Sequence, residues 1–565
     1  MKDKYLIHEF RTVENIRAFV EDLGDRYRGR NAYSFRENPR DKEATRVKYE
    51  ELRDDVRALA TAFAMKGMAG KHIVLVGKLT YRWVLVYYAT LATGSVLIPL
   101  DAEWHAPDLA DTAARANAQF VLCESKIAEK GQAISDMAKI PAPILLDGEG
   151  EGSLDALMAE GKAQFEKDPS IYYNTPIDPD ALALLVFTSG TTGKGKGVEL
   201  TQRNFMSCLE CVIPYIDFAD KTMGLLPPHH TYGSSVSIFG HNFIGTEVYL
   251  SAGLKYIMNE LKAEKPGHLV LVPLYLETFY RKITQNIKDQ GMEGKVKLVM
   301  KLTKIFGKKL GTKLRRKLLG KILAAFGGEL RMVISGGAPI NTDIIKFFES
   351  LGISVLNGYG ITECAPIIAV NYSKNVKHGS VGNVLNCNTV KIADPNDNGE
   401  GEICVKGSNV MLGYYNDEEN TKEAFDEDGY FKTGDYGKLD KDGLLYITGR
   451  KKNLIILSNG KNVYPEEIES EFAAIPGLLD IIIYEGQSRR GIAENKIVAE
   501  IYPDYELLKK NGVEDPQAYF QKFINDYNRT AISYKKIGVL KVRTEDFPKN
   551  TLRKIMRFKL DMTID

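Results

Sequence analysis

The chain has 565 residues, 44% hydrophobic and 26% charged, with a formal net charge of +1. That length exceeds what one hydrophobic core supports, so several lobes are expected. The balanced charge argues against a dedicated nucleic-acid binder, and the composition is that of an ordinary folded protein. Six cysteines (Cys123, Cys208, Cys211, Cys364, Cys387, Cys404) are scattered along the sequence, which suits a reducing compartment better than a disulfide framework. Cys208 and Cys211 form C-x-x-C without a second pair or a histidine cluster, so they read as core thiols and not as a metal or redox centre. The start, MKDKYLIHEF, lacks the apolar segment of a signal peptide, and no run is apolar enough to span a membrane. A cytoplasmic protein is expected.

In chain order, Tyr49 to Met68 places Leu52, Val56, Leu59 and Phe63 on one helical stripe. His72–Val76 reads as a strand, Tyr81–Ala92 as a helix, Ser95–Ile98 as a strand ended by Pro99, Leu109–Ala116 as a helix and Phe120–Cys123 as a strand. Such alternation predicts a mostly parallel sheet with helices on its faces. The stretch from Met137 to Ser170 carries weaker signals and reads as a surface excursion. Leu184 to Val198, LLVFTSGTTGKGKGV, begins as a buried strand and breaks into glycine, hydroxyl and lysine residues, a composition that suits phosphate. Gly190 to Lys196 matches the start of a P-loop, but Gly197 stands where the Mg²⁺-binding hydroxyl should be, and Val198 to Leu200 look like a returning strand. Thr201 is the helix N-cap instead.

Further on, strands are expected near Met223, Val248 and Leu269, with a glycine-rich helical stretch after Gly233. Residues 295–321 hold eleven lysines and arginines and no acid, interleaved with apolar residues at helical spacing. This reads either as a helix lying on an anionic membrane surface or as the solvated face of a packed helical pair. Arg331–Ser335 is a strand followed by the turn Gly337-Ala338-Pro339, and Ser354–Leu356 is a strand ending in a loop at Asn357-Gly358-Tyr359-Gly360. Loops at the ends of parallel strands are where α/β sheets bind ligands. From about 381 to 449, short strands separated by turns form a small β-rich lobe, and the last hundred-odd residues form a small α+β domain.

Five clusters occur in one order: TSGTTGKGKG, GYGITE, YFKTGD, GRKKNLIILSNGKNVYPEEIE and a final lysine segment ending Arg553-Lys554. Together they resemble the adenylate-forming superfamily of acyl-CoA synthetases, peptide-synthetase adenylation domains and firefly luciferase, over nearly the whole chain. With ISGGAPI they look most like long-chain fatty-acid–CoA ligases. The resemblance implies an α/β fold in two parts. A large N-terminal domain (1–451) has mostly parallel sheets flanked by helices plus the β-rich lobe, and a small mobile α+β C-terminal domain (452–565) carries the adenylation lysine.

It also implies a chemistry. A carboxylate attacks the α-phosphorus of ATP to give acyl-adenylate and pyrophosphate, and a thiol then displaces AMP. Thr188, Ser189, Gly190, Thr191, Thr192 and Gly193 would wrap the distal phosphates, with Lys196 ending the loop. Gly337, Ala338, Pro339, Asn357, Gly358, Tyr359 and Gly360 would hold adenine, Thr362 would donate to the α-phosphate, Asp435 and Arg450 would bind ribose, and Glu363 would hold Mg²⁺. Lys554 would reach the reacting carboxylate. The C-terminal domain would then turn about Lys452, bringing Ser458, Asn459 and Gly460 into the thiol step. His230 would gate an acyl pocket lined also by Tyr232 and Gly233. Gly195 and Arg553 depart from the family's usual proline and glycine; the first implies a looser phosphate loop.

The substrates implied are a fatty acid or other carboxylate, ATP and CoA. Two other readings stay open: loading of a fatty or aryl acid onto a separate acyl carrier protein, and a non-catalytic protein bound at the inner face of a membrane through residues 295–321.

Overall fold

The computed structural model describes residues 4–150, 152–188, 195–306, 316, 319–457, 462–487, 496–549 and 555–564, with backbone alone at 295, 299, 300 and 303–306. The early strand–helix alternation builds a seven-stranded sheet. Its order is Gly413–Tyr414, Lys196–Thr201, Leu182–Thr188, Val96–Leu100, His72–Val76, Phe120–Cys123, Ile144–Leu145. The strands from 72 to 123 run parallel, and 182–188 pairs parallel with 96–100 before turning back antiparallel into 196–201. The helix Tyr49–Met65 buries the predicted stripe of Leu52, Val56, Leu59 and Phe63. Thr80 caps Tyr81–Ala92 by accepting from Trp83 N, and Thr201 caps Gln202–Val212 by accepting from Asn204 N.

Two expectations fail here. Pro99 lies inside its strand, paired with Leu75. On the other side that strand meets 182–188 through Leu97 alone, so a residue without an N–H is tolerated. The stretch after Met137 is not a surface excursion, because the helix Leu154–Lys167 crosses Tyr49–Met65 at close range. A Cβ at Gly161 would fall 1.9 Å from Ala58 O, so only glycine lets the two backbones approach this far.

A nine-stranded sheet follows, in the order His268–Leu271, Met332–Ser335, Ser354–Gly360, Ile367–Val370, Gly382–Val384, Leu444–Arg450, Phe431–Leu439, Gly401–Gly407, Asn388–Ala393. The first three strands are parallel and the rest antiparallel. Asn357-Gly358-Tyr359-Gly360 is therefore strand and not loop. The same strand lies parallel to Met332–Ser335 over its first half and antiparallel to Ile367–Val370 over its second. The short strands of 381–449 continue this sheet. A four-stranded sheet (45–48, 31–35, 247–250, 221–224) completes the larger part of the molecule.

Beyond Lys452, the strands Leu478–Glu485, Ile497–Pro503 and Ile537–Val542 form a separate sheet. It shares a core of its own with the helices Pro465–Phe472 and Pro516–Thr530, centred on Val463, Phe472, Ile483 and Phe520. Arg281 Nη1 donates to Leu478 O (2.7 Å) and Asn341 Nδ2 to Ser470 O (2.6 Å), which tie this unit to the rest. Of the basic segment, the helix Glu293–Phe306 is described, and residues 307–315, 317 and 318 lie outside the described residues. Val296 packs into a core cluster with Leu276, Phe279 and Ile345, while Leu298 on the same helix is 57% exposed. Among the described residues no helix is long and apolar enough to cross a membrane.

Candidate active site

The switch of Ser354–Gly360 from parallel to antiparallel pairing brings two polar clusters to one end of the sheets. Thr362 and Glu363 follow that strand directly, in a short turn ending at Cys364. Lys196 opens the returning strand of the glycine-loop hairpin, and Gly413–Tyr414 adds to the edge of that strand. Tyr414 stands between the two charges. Its hydroxyl donates to Glu363 Oε1 (3.1 Å), and the Lys196 ammonium lies 4.7 Å from its ring centroid. Lys196 also donates to Asn420 Oδ1 (2.5 Å), and Asn420 is fixed in turn by Asp417. Burial pushes the Glu363 carboxyl above the usual carboxylate range, with nearby Asp435 adding to the shift and the Tyr414 hydrogen bond opposing it.

The second cluster centres on Asp435, 3% exposed and cross-strand partner of Arg450. Tyr359 OH donates to Asp435 Oδ2 (2.7 Å), and Arg450 Nε lies 2.9 Å from Oδ1. Burial, reinforced by this carboxylate, holds the Tyr359 phenol well above its ordinary range, so it stays a donor. Glu402 supports the segment from below, accepting from Gly434 N (3.2 Å) and pairing with Lys451 (2.6 Å). Lys451–Asn453 is a single helical turn in which Lys452 is exposed, at the junction with the small C-terminal sheet.

The turn Gly337-Ala338-Pro339 follows the strand Met332–Ser335, beside Asn357, whose cross-strand partner is Ser335. Among the described residues Asn357 Oδ1 and Ser335 Oγ are buried without a hydrogen-bond partner. His230 lies in the bend just before the π-helix Tyr232–Phe239. Its ring packs 4.2 Å from that of His229, whose Nε2 is 3.5 Å from Asp101 Oδ2. Burial lowers the His229 pKa and Asp101 opposes that. Tyr232 OH donates to Leu271 O (3.2 Å), fixing its ring against the parallel strands, and Gly233 is buried beside it.

The structure thus groups Lys196 with Glu363, and Tyr359 with Asp435 and Arg450. Ser189, Gly190, Thr191, Thr192, Gly193, Ser458, Asn459, Gly460, Arg553 and Lys554 lie outside the described residues. Tyr414, Asn420, Glu402 and the Asp101–His229 pair were not legible beforehand. Each acts across a sheet edge or a long sequence separation, and none stands in a spacing pattern that singles it out.

A family model for AMP-binding enzymes matches residues 20–415. The chain belongs to the AMP-binding enzymes. Among similar proteins, a long-chain-fatty-acid–CoA ligase of Mycobacterium bovis is 29% identical over 78% of this chain and 75% of its own length. Long-chain-fatty-acid–CoA ligase 5 of Rattus norvegicus is 29% identical over 82% and 71%. A chloroplastic long-chain-fatty-acid–[acyl-carrier-protein] ligase of Arabidopsis thaliana is 27% identical over 89% and 77%. Among solved structures, ATP-bound MatB from Rhodopseudomonas palustris superposes with a TM-score of 0.74 at 24% identity, covering 96% of this chain and 97% of its own. An anthranilate–CoA ligase in complex with anthranoyl-AMP gives 0.75 at 16% identity, covering 98% and 97%. These two likenesses establish the AMP-binding fold across the chain, the small C-terminal sheet included.

Proposed function

We propose that this AMP-binding enzyme activates a fatty acid with ATP and transfers the acyl group to CoA, releasing pyrophosphate and then AMP. The observation that carries this reading is the pairing of Lys196 with Glu363 through Tyr414, beside the Tyr359–Asp435–Arg450 cluster. One cluster supplies charge and a carboxylate for a polyphosphate; the other supplies acceptors and a cation for a ribose. Asn357 Oδ1 and Ser335 Oγ, buried and without a hydrogen-bond partner among the described residues, add hydrogen-bonding capacity for a nucleobase edge. The ligase relatives support the choice of a long-chain acid.

In the first step a carboxylate oxygen of the fatty acid bonds to the α-phosphorus and the bond to pyrophosphate breaks. Charge gathers on the transferring group, and Thr362 is assigned to donate to it. Glu363 fits Mg²⁺: its carboxylate is half-buried and Tyr414 takes one oxygen, which leaves the other for a hard cation that neutralises phosphate charge. Lys554 is assigned the carboxylate and α-phosphate. The unit beyond Lys452, with its own sheet and core, is assigned a rotation about that residue that exchanges Lys554 for the segment 458–460. The thiol sulfur then bonds to the acyl carbon and AMP leaves. His230, Tyr232 and Gly233 are assigned to the acyl entrance.

The test is fatty-acid-dependent exchange of pyrophosphate into ATP across short, long and aromatic acids. Exchange with long acids is expected, and its absence with every acid refutes the reading. The Arabidopsis relative supports a second acceptor, a carrier protein. AMP release with CoA set against a phosphopantetheine-bearing carrier separates the two. Exposed Leu298 among the lysines of 293–301 supports contact with anionic lipid; co-sedimentation with anionic vesicles that weakens with salt is the expected result.

A further inference from the structure

Lys196 has a carbonyl held on either side of it. Gly195 O accepts from Arg115 Nη1 (3.3 Å), and Gly197 O accepts from the backbone N–H of Tyr415 (2.8 Å). Both contacts trace to one place, the C-terminal end of the helix Ala106–Arg115. Arg115 is the last residue of that helix, and Asn117, two residues on, donates from Nδ2 to the Tyr415 hydroxyl (2.7 Å). His72 Nδ1 donates to Ala116 O (2.7 Å), which pins the helix end to the parallel sheet.

We propose that Arg115 is a positioning residue for Lys196, fixing the base of the glycine-loop hairpin so that the Lys196 ammonium is in place before ATP arrives. This rests on the reading of Lys196 as a cation for the polyphosphate. The guanidinium is itself held from its own helix, because Nε donates to Asp111 Oδ2 (3.0 Å) and Nη2 to Thr112 Oγ1 (3.4 Å). Nη1 is thereby presented to Gly195 O, and Cζ lies 5.3 Å from the Phe187 ring centroid. One side chain thus reaches Phe187 on the outgoing strand and Gly195 at the start of the returning one.

The position of this contact gives it its use. Thr188 and Lys196 form the final ladder pair of the hairpin, so Gly195 lies one residue beyond the point where strand pairing fixes the backbone. A charge-assisted hydrogen bond to Gly195 O supplies there the restraint that the ladder no longer does. A simpler role, a cation completing an i,i+4 pair with Asp111 at a helix C-terminus, accounts for Nε but not for Nη1 or the Phe187 ring. The two roles differ in what they predict. Lys196 is assigned to the distal phosphates and the Tyr359–Asp435–Arg450 cluster to the nucleoside, so a loosened Lys196 weakens ATP and spares AMP.

The test is calorimetric titration of the full-length protein and its Arg115→Ala variant with α,β-methylene-ATP and, separately, with AMP, both with Mg²⁺ present. In Arg115→Ala the Kd for the ATP analogue should rise about three- to tenfold, the size of one partly exposed charge-assisted hydrogen bond, while that for AMP stays within about twofold. Arg115→Lys keeps the charge but cannot meet Asp111, Gly195 and the Phe187 ring together, so its loss should fall between; it decides by the same comparison if the alanine variant does not fold. Unchanged binding of the analogue, or equal weakening of analogue and AMP, would overturn the proposal. Failure of the fatty-acid reading shows differently: pyrophosphate exchange is then absent with every acid while Arg115→Ala still weakens the analogue and not AMP.

Discussion

Tyr414 links a cation and a carboxylate that the sequence keeps far apart, and its two ends do different work. The hydroxyl serves Glu363, a half-buried acid whose charged form needs donors, and the ring face serves Lys196. Tyr414→Phe keeps the ring and deletes the hydrogen bond. Loss of a bond to a charged group costs about 1.5–3 kcal/mol, so pyrophosphate exchange should fall about 10- to 100-fold. Tyr414→Leu, which removes the ring as well, should fall further. Equal losses in the two variants would show that the ring contributes nothing to placing Lys196. The motif residues Thr362, Glu363, Asp435 and Arg450 were legible because they stand in short ordered strings. Tyr414 was not, since its role arises from strand Gly413–Tyr414 adding to the edge of 196–201.

The hairpin formed by Leu182–Thr188 and Lys196–Thr201 was read correctly as two strands and not as a P-loop. The continuous apolar run ends at Thr188, and Thr201 caps the following helix. What the loop's stiffness means is changed by the structure. By resemblance, glycine at 195 in place of proline implies a looser loop. In this hairpin, however, a Cβ at Gly195 would lie 2.4 Å from Thr188 O, so the ladder closes tightly there because the side chain is missing. Gly195→Pro should therefore raise the KM for ATP and not lower it, measured by exchange at varied ATP. A lowered KM would restore the view that this glycine merely softens the clamp. In helix Leu154–Lys167 the buried face is short, Leu154, Leu157 and Gly161, and the close backbone approach at Gly161 leaves no side chain to mark it in the sequence.

Across the whole molecule, the separate core beyond Lys452 suits a unit that moves. Lys554→Ala should slow adenylation by about 10²- to 10³-fold, the size expected for one preorganised charge, while sparing thiol transfer to preformed adenylate. Equal loss in both half-reactions would contradict a rotation that withdraws Lys554. Stability carries its own pH signature. His241 is fully buried, donates through Nδ1 to Ser237 O (2.9 Å) and packs 4.8 Å from His268. Burial pushes His241 down to about 4 from 6.5, and burial, with His241 and Arg331 nearby, also holds His268 well below its ordinary range. Below pH 6.5 the unfolded chain takes up a proton that folded His241 refuses. Stability from this residue is thus complete above pH 6.5 and is lost as pH falls toward about 4. The loss should reach roughly 2 kcal/mol by pH 5, read from denaturant midpoints. His241→Gln should flatten that slope.

The sequence alone determined most of the early strand–helix alternation, the cap at Thr201 and the family. Those follow from local periodicity, from hydroxyl residues at helix starts, and from short motifs whose chemistry is local. Only the tertiary structure decided that Tyr414 bridges Lys196 and Glu363 and that the strand at Asn357–Gly360 changes partners. Lys196 and Asn420 are 224 residues apart, and no local pattern records such a pairing. Sheet order sets which distant edges meet, and so which charges share a site.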